Sequence, residues 1–226
     1  MSRYTAPREK QARSGFLISL EGTDGVGKST QALLLRNRLR KAGHPVILLA
    51  EPGSTILGNR LRRLLKYFRY DMTARAELHL FLAARTQLVQ ERILPSLQQG
   101  IIVICDRFCD STVAYQGYGR GIPIDEIQWL NNIATMSILP QLTILLDMPP
   151  EQGLQRRSAS TYDRIERESG LDGNPQMIQR IRDGFLELAK LDPHRWVIID
   201  ARNNKRVIFE QVWTSVAGLI EKAYLQ

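Results

Sequence analysis

Apolar residues along this chain gather into short, evenly spread runs. They are Phe16–Leu20, Val46–Leu49, Ile101–Cys105, Leu142–Leu146 and Trp196–Ile199. Each has the length of a strand and is rich in Ile, Val and Leu. Apolarity that is continuous rather than alternating suits strands buried on both faces, as in a parallel sheet. Between the runs the period lengthens. Ala32, Leu35 and Leu39 fall at i, i+3 and i+7, and Gly43 with Pro45 ends that helix. Ile178, Ile181, Phe185 and Leu188 repeat the spacing behind Asn174 and Pro175, an N-cap residue followed by a proline at the first helical position. Ile208, Val212, Val216 and Leu219 mark a last amphipathic helix. Five strands separated by helices predict a doubly wound α/β fold, a five-stranded parallel sheet flanked by helices.

No repeat or linker divides the chain, so residues 15–226 read as a single domain. Residues 158–162 and 170–174 read as loops within a short lid at about 156–174. Residues 1–14 are polar and basic, with Arg3, Arg8, Lys10 and Arg13 against Glu9, and lack the apolar stretch of a secretory signal. They read as a mobile tail before the first strand, with an organellar transit peptide as the lesser alternative.

Composition narrows the partners. With 226 residues, 43% of them apolar, the chain can build a full core. No apolar run approaches the ~18 residues of a membrane span, which argues against a membrane partner. The net charge of +8 suits either nucleic acid or small polyanions. The arginines lie in separate clusters, and neither an RNA-binding signature nor zinc-finger spacing occurs, so nucleotides are expected and nucleic acid is not. Cys105 and Cys109 are not spaced as C-x-x-C and read as reduced thiols of a cytoplasmic protein.

The chemistry begins after the first strand. Gly22-Thr23-Asp24-Gly25-Val26-Gly27-Lys28-Ser29 fits G-x-x-x-x-G-K-[ST] between a strand and a helix, with Thr30 following. Glycines let backbone N–H groups turn inward around phosphate oxygens, and the helix points its positive end at the same place. Lys28 reaches the β- and γ-phosphates of ATP, and the Ser29 hydroxyl serves Mg²⁺. A guanine-reading N-K-x-D motif is absent, which favours a small-molecule kinase over a GTPase.

Three further groups of residues bear on an acceptor. Phe81 and Arg85 stand at i and i+4, beside the apolar stripe Leu78, Leu82 and Val89. An arginine there must reach solvent, a carboxylate or a ligand. Asp106 and Arg107 close an apolar strand. The carboxylate can hold Mg²⁺ directly or through its water shell, and Arg107 can grip a monophosphate through paired hydrogen bonds. Arg156, Arg157 and Arg164 supply positive charge to the lid, suited to ATP and to the charge that develops in phosphoryl transfer.

Several separate motifs carry a resemblance. They are E-G-T-D-G-V-G-K-S-T at 21–30, E-P-G-S-T at 51–55, L-F-L-A-A-R at 80–85, D-R-F-C-D-S-T-V-A-Y-Q-G-Y-G-R-G at 106–121 and D-R-I-E at 163–166. From Phe16 to about Ile199 the chain resembles the bacterial thymidylate kinases. The third and fourth motifs are specific to that family, whereas the first is shared widely. The resemblance implies a homodimeric enzyme that transfers the γ-phosphoryl group of ATP to dTMP, with Mg²⁺, in dTTP biosynthesis. It implies that Phe81 stacks on thymine, that Arg85 donates to a base carbonyl and that Ser111 and Thr112 lie near the base edge. It places Tyr115 against the sugar, where its ring excludes a 2′-hydroxyl, Gln116 in the same pocket and Asp24 at the 3′-hydroxyl. Glu166 is a further candidate for the metal shell. Family members without an arginine in the phosphate loop carry it in the lid. Gly25 stands at the loop position, so Arg157 and Arg164 are the expected catalytic arginines. The chain departs from the family pattern at Ala50, where Arg usually precedes E-P-G-G-T, and at Ser54, which replaces the second glycine. Ala159, Met177 and a few extra residues after D-R-I-E are further departures.

Overall fold

The structure, a computed structural model, describes residues 15–68, 71–156 and 175–224. Five strands form one parallel sheet: β1 (Leu17–Glu21), β2 (Val46–Ala50), β3 (Ile102–Asp106), β4 (Leu142–Asp147) and β5 (Trp196–Asp200). Their spatial order is β2-β3-β1-β4-β5. From β1 the chain moves outward to β2 and returns through β3, then crosses to β4 and β5 on the other side. The reversal at β1 opens a crevice at the carboxyl ends of the strands, the usual ligand position in such sheets.

The doubly wound fold is as the apolar runs predict, with two differences. Every strand continues one residue past its apolar run, to Glu21, Ala50, Asp106, Asp147 and Asp200. The ladders include these residues, as in Ala50 opposite Asp106 and Asp147 opposite Asp200. Apolarity underestimates the strands because four of the five last residues are carboxylates with partners of their own: Glu21 takes the Phe108 amide, Asp106 the Ser29 hydroxyl, Asp147 the Arg182 guanidinium and Asp200 that of Arg202. Nor are all strands buried on both faces. The outer strands β2 and β5 are only partly covered, and Ile198 is 50% exposed.

Alternate residues of the central strands face opposite layers. Ile18, Leu20, Ile104 and Ile144 pack with α1 (Lys28–Lys41) and the last helix, α9 (Lys205–Tyr224). Leu17, Val103 and Cys105 pack on the other side against the end of α3 (Ala74–Leu88), which runs through a π-helical turn at Val89–Ile93 into α4 (Leu94–Gln98). Leu145 and Trp196 extend that layer to α6 (Ile124–Thr135) and α8 (Pro175–Leu191). Buried residues of α9 recur every fourth position at Ile208, Val212, Val216 and Ile220, while the expected Leu219 is only partly covered. Pro175 opens α8 as its position suggests. Asn174 and the loops at 158–162 and 170–174 lie outside the described residues, as do residues 1–14. Three more helices frame the crevice: α2 (Ile56–Tyr67), capped by the Thr55 hydroxyl, α5 (Cys109–Thr112) and α7 (Pro150–Gln155). A second π-helical turn, Val113–Gly119, follows α5 and carries Tyr115 and Gln116.

Candidate active site

The phosphate loop joins β1 to α1 through left-handed backbone at Gly25 (φ 80°) and Gly27 (φ 100°). Glycine at 25 is required twice over. Its conformation disfavours a side chain, and a Cβ there would lie 1.9 Å from the Gly153 carbonyl oxygen of α7. The Lys28 ammonium donates to the carbonyls of Gly22 (3.0 Å) and Thr23 (2.7 Å). Burial, then the nearby Arg107, pulls its pKa down to about 8, against the opposing pull of Asp24. The Ser29 hydroxyl donates to Asp106 Oδ2 at 2.5 Å. These oxygens converge on one wall of the crevice from α1 and β3. A hydroxyl and a carboxylate are hard donors, and the pair fits Mg²⁺, which takes few protein ligands and completes its shell with phosphate and water oxygens.

A cavity of about 830 Å³ runs from this loop to the face of α3. Asp24, Lys28 and Ser29 line one end, and Phe81 and Arg85 line the other, on one face of α3 as their spacing requires. Asp106, Arg107 and Ser111 lie between, and Thr112, Tyr115 and Gln116 complete the wall. The structure therefore brings together the donor and acceptor residues expected from the sequence. Within the loop, Gly25, Gly27 and Thr30 also reach the cavity. Gly22 and Thr23 contribute carbonyls to Lys28, and the Val26 side chain belongs to the core.

Arg107 is the hub. Its backbone is left-handed, with φ 70°, which is uncommon for a residue bearing a side chain. Nη1 donates to Gly22 O and Ser111 Oγ, both at 3.1 Å. Nη2 donates to Asp24 Oδ1 (2.5 Å) and the Tyr115 hydroxyl (3.0 Å), and that hydroxyl donates to Asp24 Oδ2 (3.0 Å). Desolvation by burial opposes ionisation here, yet the Asp24 carboxylate holds the guanidinium charged.

Arg85 is sealed more tightly still. Nε and Nη2 both donate to Glu51 Oε2, at 2.8 and 2.6 Å. Nη2 also donates to Phe108 O (3.3 Å), and Nη1 donates to Asn131 Oδ1 (2.7 Å). An arginine has five N–H donors, so this arrangement leaves one hydrogen of Nη1 for any further acceptor. Burial raises the Glu51 carboxyl, and Arg85 draws it back down.

Four residues of this region escaped the sequence reading. Glu21 is fully buried and accepts from the Phe108 amide and the Ser111 hydroxyl. Burial, then the neighbouring Asp110, pushes its carboxyl up to about 8, against Ser111, Arg107 and the Phe108 amide. Glu51 and Asn131 hold Arg85, and Glu77 accepts from Gln116 Nε2 at 2.9 Å. The signal available for Glu21 and Glu51 was position, an acid at or just past the end of an apolar strand. Asn131 and Glu77 sit on ordinary helical stretches and gave none. Among the departures, Ser54 occupies a left-handed position (φ 63°), and its hydroxyl accepts from the Ala50 amide at 2.8 Å. Arg62 lines the cavity near Ala50 and donates to Pro52 O. Arg156 donates to Ala201 O at 2.9 Å, beyond the end of β5. Arg157, Arg164, Glu166 and Ala159 lie outside the described residues.

A phosphate loop at the switch point of a parallel sheet, sharing one cavity with an arginine-lined second pocket, defines a nucleotide kinase of the phosphate-loop class. The family model described as thymidylate kinase matches residues 20–212. The thymidylate kinase of Thermoanaerobacter sp. (strain X514) is 42% identical over 186 residues, covering 82% of this chain and 89% of that one. That of Kosmotoga olearia is 43% identical over 198 residues, covering 87% and 93%. The crystal structure of thymidylate kinase from Ehrlichia chaffeensis superimposes with a TM-score of 0.72 at 33% identity, covering 90% of this chain and 99% of that one. The chain belongs to the thymidylate kinase family.

Proposed function

We propose that this chain transfers the γ-phosphoryl group of ATP to dTMP, giving dTDP and ADP, with the roles of its residues divided between the two ends of the cavity. The observation that carries this reading is that one cavity joins the phosphate loop to the Phe81–Arg85 face with Arg107 between them. The loop amides and Lys28 hold the ATP phosphates. Ser29 and Asp106 would hold Mg²⁺, which supplies charge neutralisation across the phosphate oxygens. Phe81 offers a flat apolar surface to the thymine ring, and the remaining Nη1 hydrogen of Arg85 is available to a base carbonyl. Arg107 grips the monophosphate by exchanging one of its present partners for a phosphate oxygen. Asp24, which accepts from both Arg107 and Tyr115, is placed to take the sugar 3′-hydroxyl, and the Tyr115 ring closes the space a 2′-hydroxyl needs. Thr112 and Gln116 fill the pocket around the base and sugar. Arg157 and Arg164 supply the transition-state charge from the lid, a reading supported by the lack of room for any side chain at Gly25. Arg156 and Glu166 belong to the same lid, on the ATP and metal sides.

A homodimer is supported by the solvent face of α6, where Trp129 is 64% and Ile133 57% exposed. A cytoplasmic location is supported by two buried, unpaired thiols, Cys105 and Cys109. No helix among the described residues is long and apolar enough to cross a membrane.

Release of ADP, followed across nucleoside monophosphates, tests the activity. dTMP is expected to be the preferred acceptor over dCMP and AMP, and Lys28→Ala to abolish turnover. Preference for another base, or turnover without Lys28, would overturn the assignment.

A further inference from the structure

Glu21 is a carboxylate with no exposed surface at the end of the central strand, and the transfer chemistry described above makes no use of it. Its hydrogen bonds are unusually concentrated. Oε1 accepts from the Phe108 amide at 2.7 Å, and Oε2 accepts from the Ser111 hydroxyl at 2.5 Å. Both donors lie within four residues of Arg107. The Arg107 amide is itself bound to Leu20 O at 3.1 Å. Adjacent residues of β1 thus hold the amides of residues 107 and 108, on either side of the left-handed backbone at Arg107. Such a conformation persists only where its surroundings determine it. The same carboxylate reaches the other end of the side chain, because the Ser111 oxygen it orients accepts from Arg107 Nη1 at 3.1 Å.

We propose that Glu21 is a positioning residue for acceptor phosphate recognition: by holding the Phe108 amide and the Ser111 hydroxyl, it fixes both the backbone turn and the guanidinium of Arg107. This rests on the reading of Arg107 as the group that grips the acceptor monophosphate. The relay belongs to the ionised form, in which both oxygens accept, and so to pH above about 8. Glutamine keeps the shape, but its amide group would donate toward Ser111 and leave the serine proton to find another acceptor. The Ser111 oxygen would then serve two donors, and its hold on Arg107 would slacken.

The test compares dTMP with thymidine, the same nucleoside without its phosphate. Calorimetric binding of both is measured at pH 9, where Glu21 is ionised, for the wild type, Glu21→Gln, Ser111→Ala and the double variant. Glu21→Gln is expected to weaken dTMP about tenfold, the scale of one charge-assisted hydrogen bond, and to leave thymidine unchanged. Its effect and that of Ser111→Ala on dTMP should be less than additive, since both cut the same relay. Equal losses for thymidine and dTMP would show a merely structural role and overturn the proposal, as would full additivity or unchanged dTMP binding. If Glu21→Gln does not fold, Glu21→Asp, whose shorter side chain cannot hold both donors, takes its place: it must weaken dTMP more than thymidine, and equal weakening refutes the relay. A wild-type protein that bound dTMP no better than thymidine would instead refute the role of Arg107 and the functional reading beneath it.

Discussion

Two arginine–carboxylate pairs stand at opposite margins of the same sheet edge. At the β2 side Arg85 meets Glu51 at 2.6 Å, with side chains 1% and 4% exposed. At the β5 side Arg202 meets Asp200 at 2.7 Å, with side chains 61% and 41% exposed. The contacts are alike and the surroundings are opposite. Around Arg85, a side-chain amide and a backbone carbonyl complete the set of acceptors, because water cannot. Around Arg202, solvent does that work. Hydrogen bonds from Arg202 lower the Asp200 carboxyl to about 2, but on the surface such a pair contributes little to folding. The buried pair instead lines the cavity, and its position follows from the sheet topology that opens the crevice at β1.

Removing one partner of each pair should separate the two cases most clearly. Glu51→Ala strands a buried guanidinium, and urea unfolding should show a loss of ~3–5 kcal/mol, as for other broken buried pairs. An effect indistinguishable from zero would mean that Arg85 finds water or another acceptor. The intermediate case is Glu21, buried like Glu51 but without a guanidinium directly on its oxygens. Its folded-state pKa of about 8 lies above the ordinary 4.5, so between those values the folded protein binds a proton that the unfolded chain has released. This contribution to stability is fully present below about 4.5 and is lost as pH rises through about 8. Lys28 acts in the opposite direction above that point. Its pKa falls from 10.5 to about 8 on folding, so its contribution rises with pH across that interval. The urea midpoint should therefore pass through a minimum near pH 8, and Glu21→Gln should flatten the acid-side limb. The smallest effect is expected for Arg202→Ala, whose thermal midpoint should match the wild type at physiological salt; a clear drop would make the exposed pair equal to the buried one.

The elements visible in the sequence are those whose residues make one demand at a time. β1, β3 and β4 are nearly continuous apolar runs up to their last residues, broken only at Ser19 and Thr143, which bond each other, because they sit inside the sheet. The phosphate loop is legible because phosphate binding fixes the spacing of its glycines and lysine, whatever else those residues also satisfy. Residues with two demands were harder to read. Glu21, Asp106, Asp147 and Asp200 belong both to the ladder and to a polar partner outside it, and a rule based on apolarity stops before each of them. Arg85 left three options open in the sequence: solvent, a carboxylate or a ligand. The structure shows the carboxylate, Glu51, and four of the five N–H donors taken by protein acceptors, so the carboxylate answer does not by itself use up the side chain. Asn131 could not have been foreseen, since its partner is separated from it by 46 residues and its own helix carries no signal of the contact. Ser54 read as the loss of a glycine, yet it keeps the left-handed backbone and adds a hydrogen bond to Ala50.

The contact between Gly25 and Gly153 limits how such an enzyme can change over time. A Cβ on the first would lie 1.9 Å from the carbonyl of the second, and a Cβ on the second 2.6 Å from the carbonyl of Asp24. Two backbones are touching, so no rotamer change relieves either clash. An ancestor or descendant of this chain could not acquire a phosphate-loop arginine at position 25 in one step, because α7 would first have to move away. Relocating that charge is an epistatic problem, in which a silent shift of a helix must precede the useful substitution. Grafting the arginine alone onto this scaffold should damage the loop before it helps the chemistry.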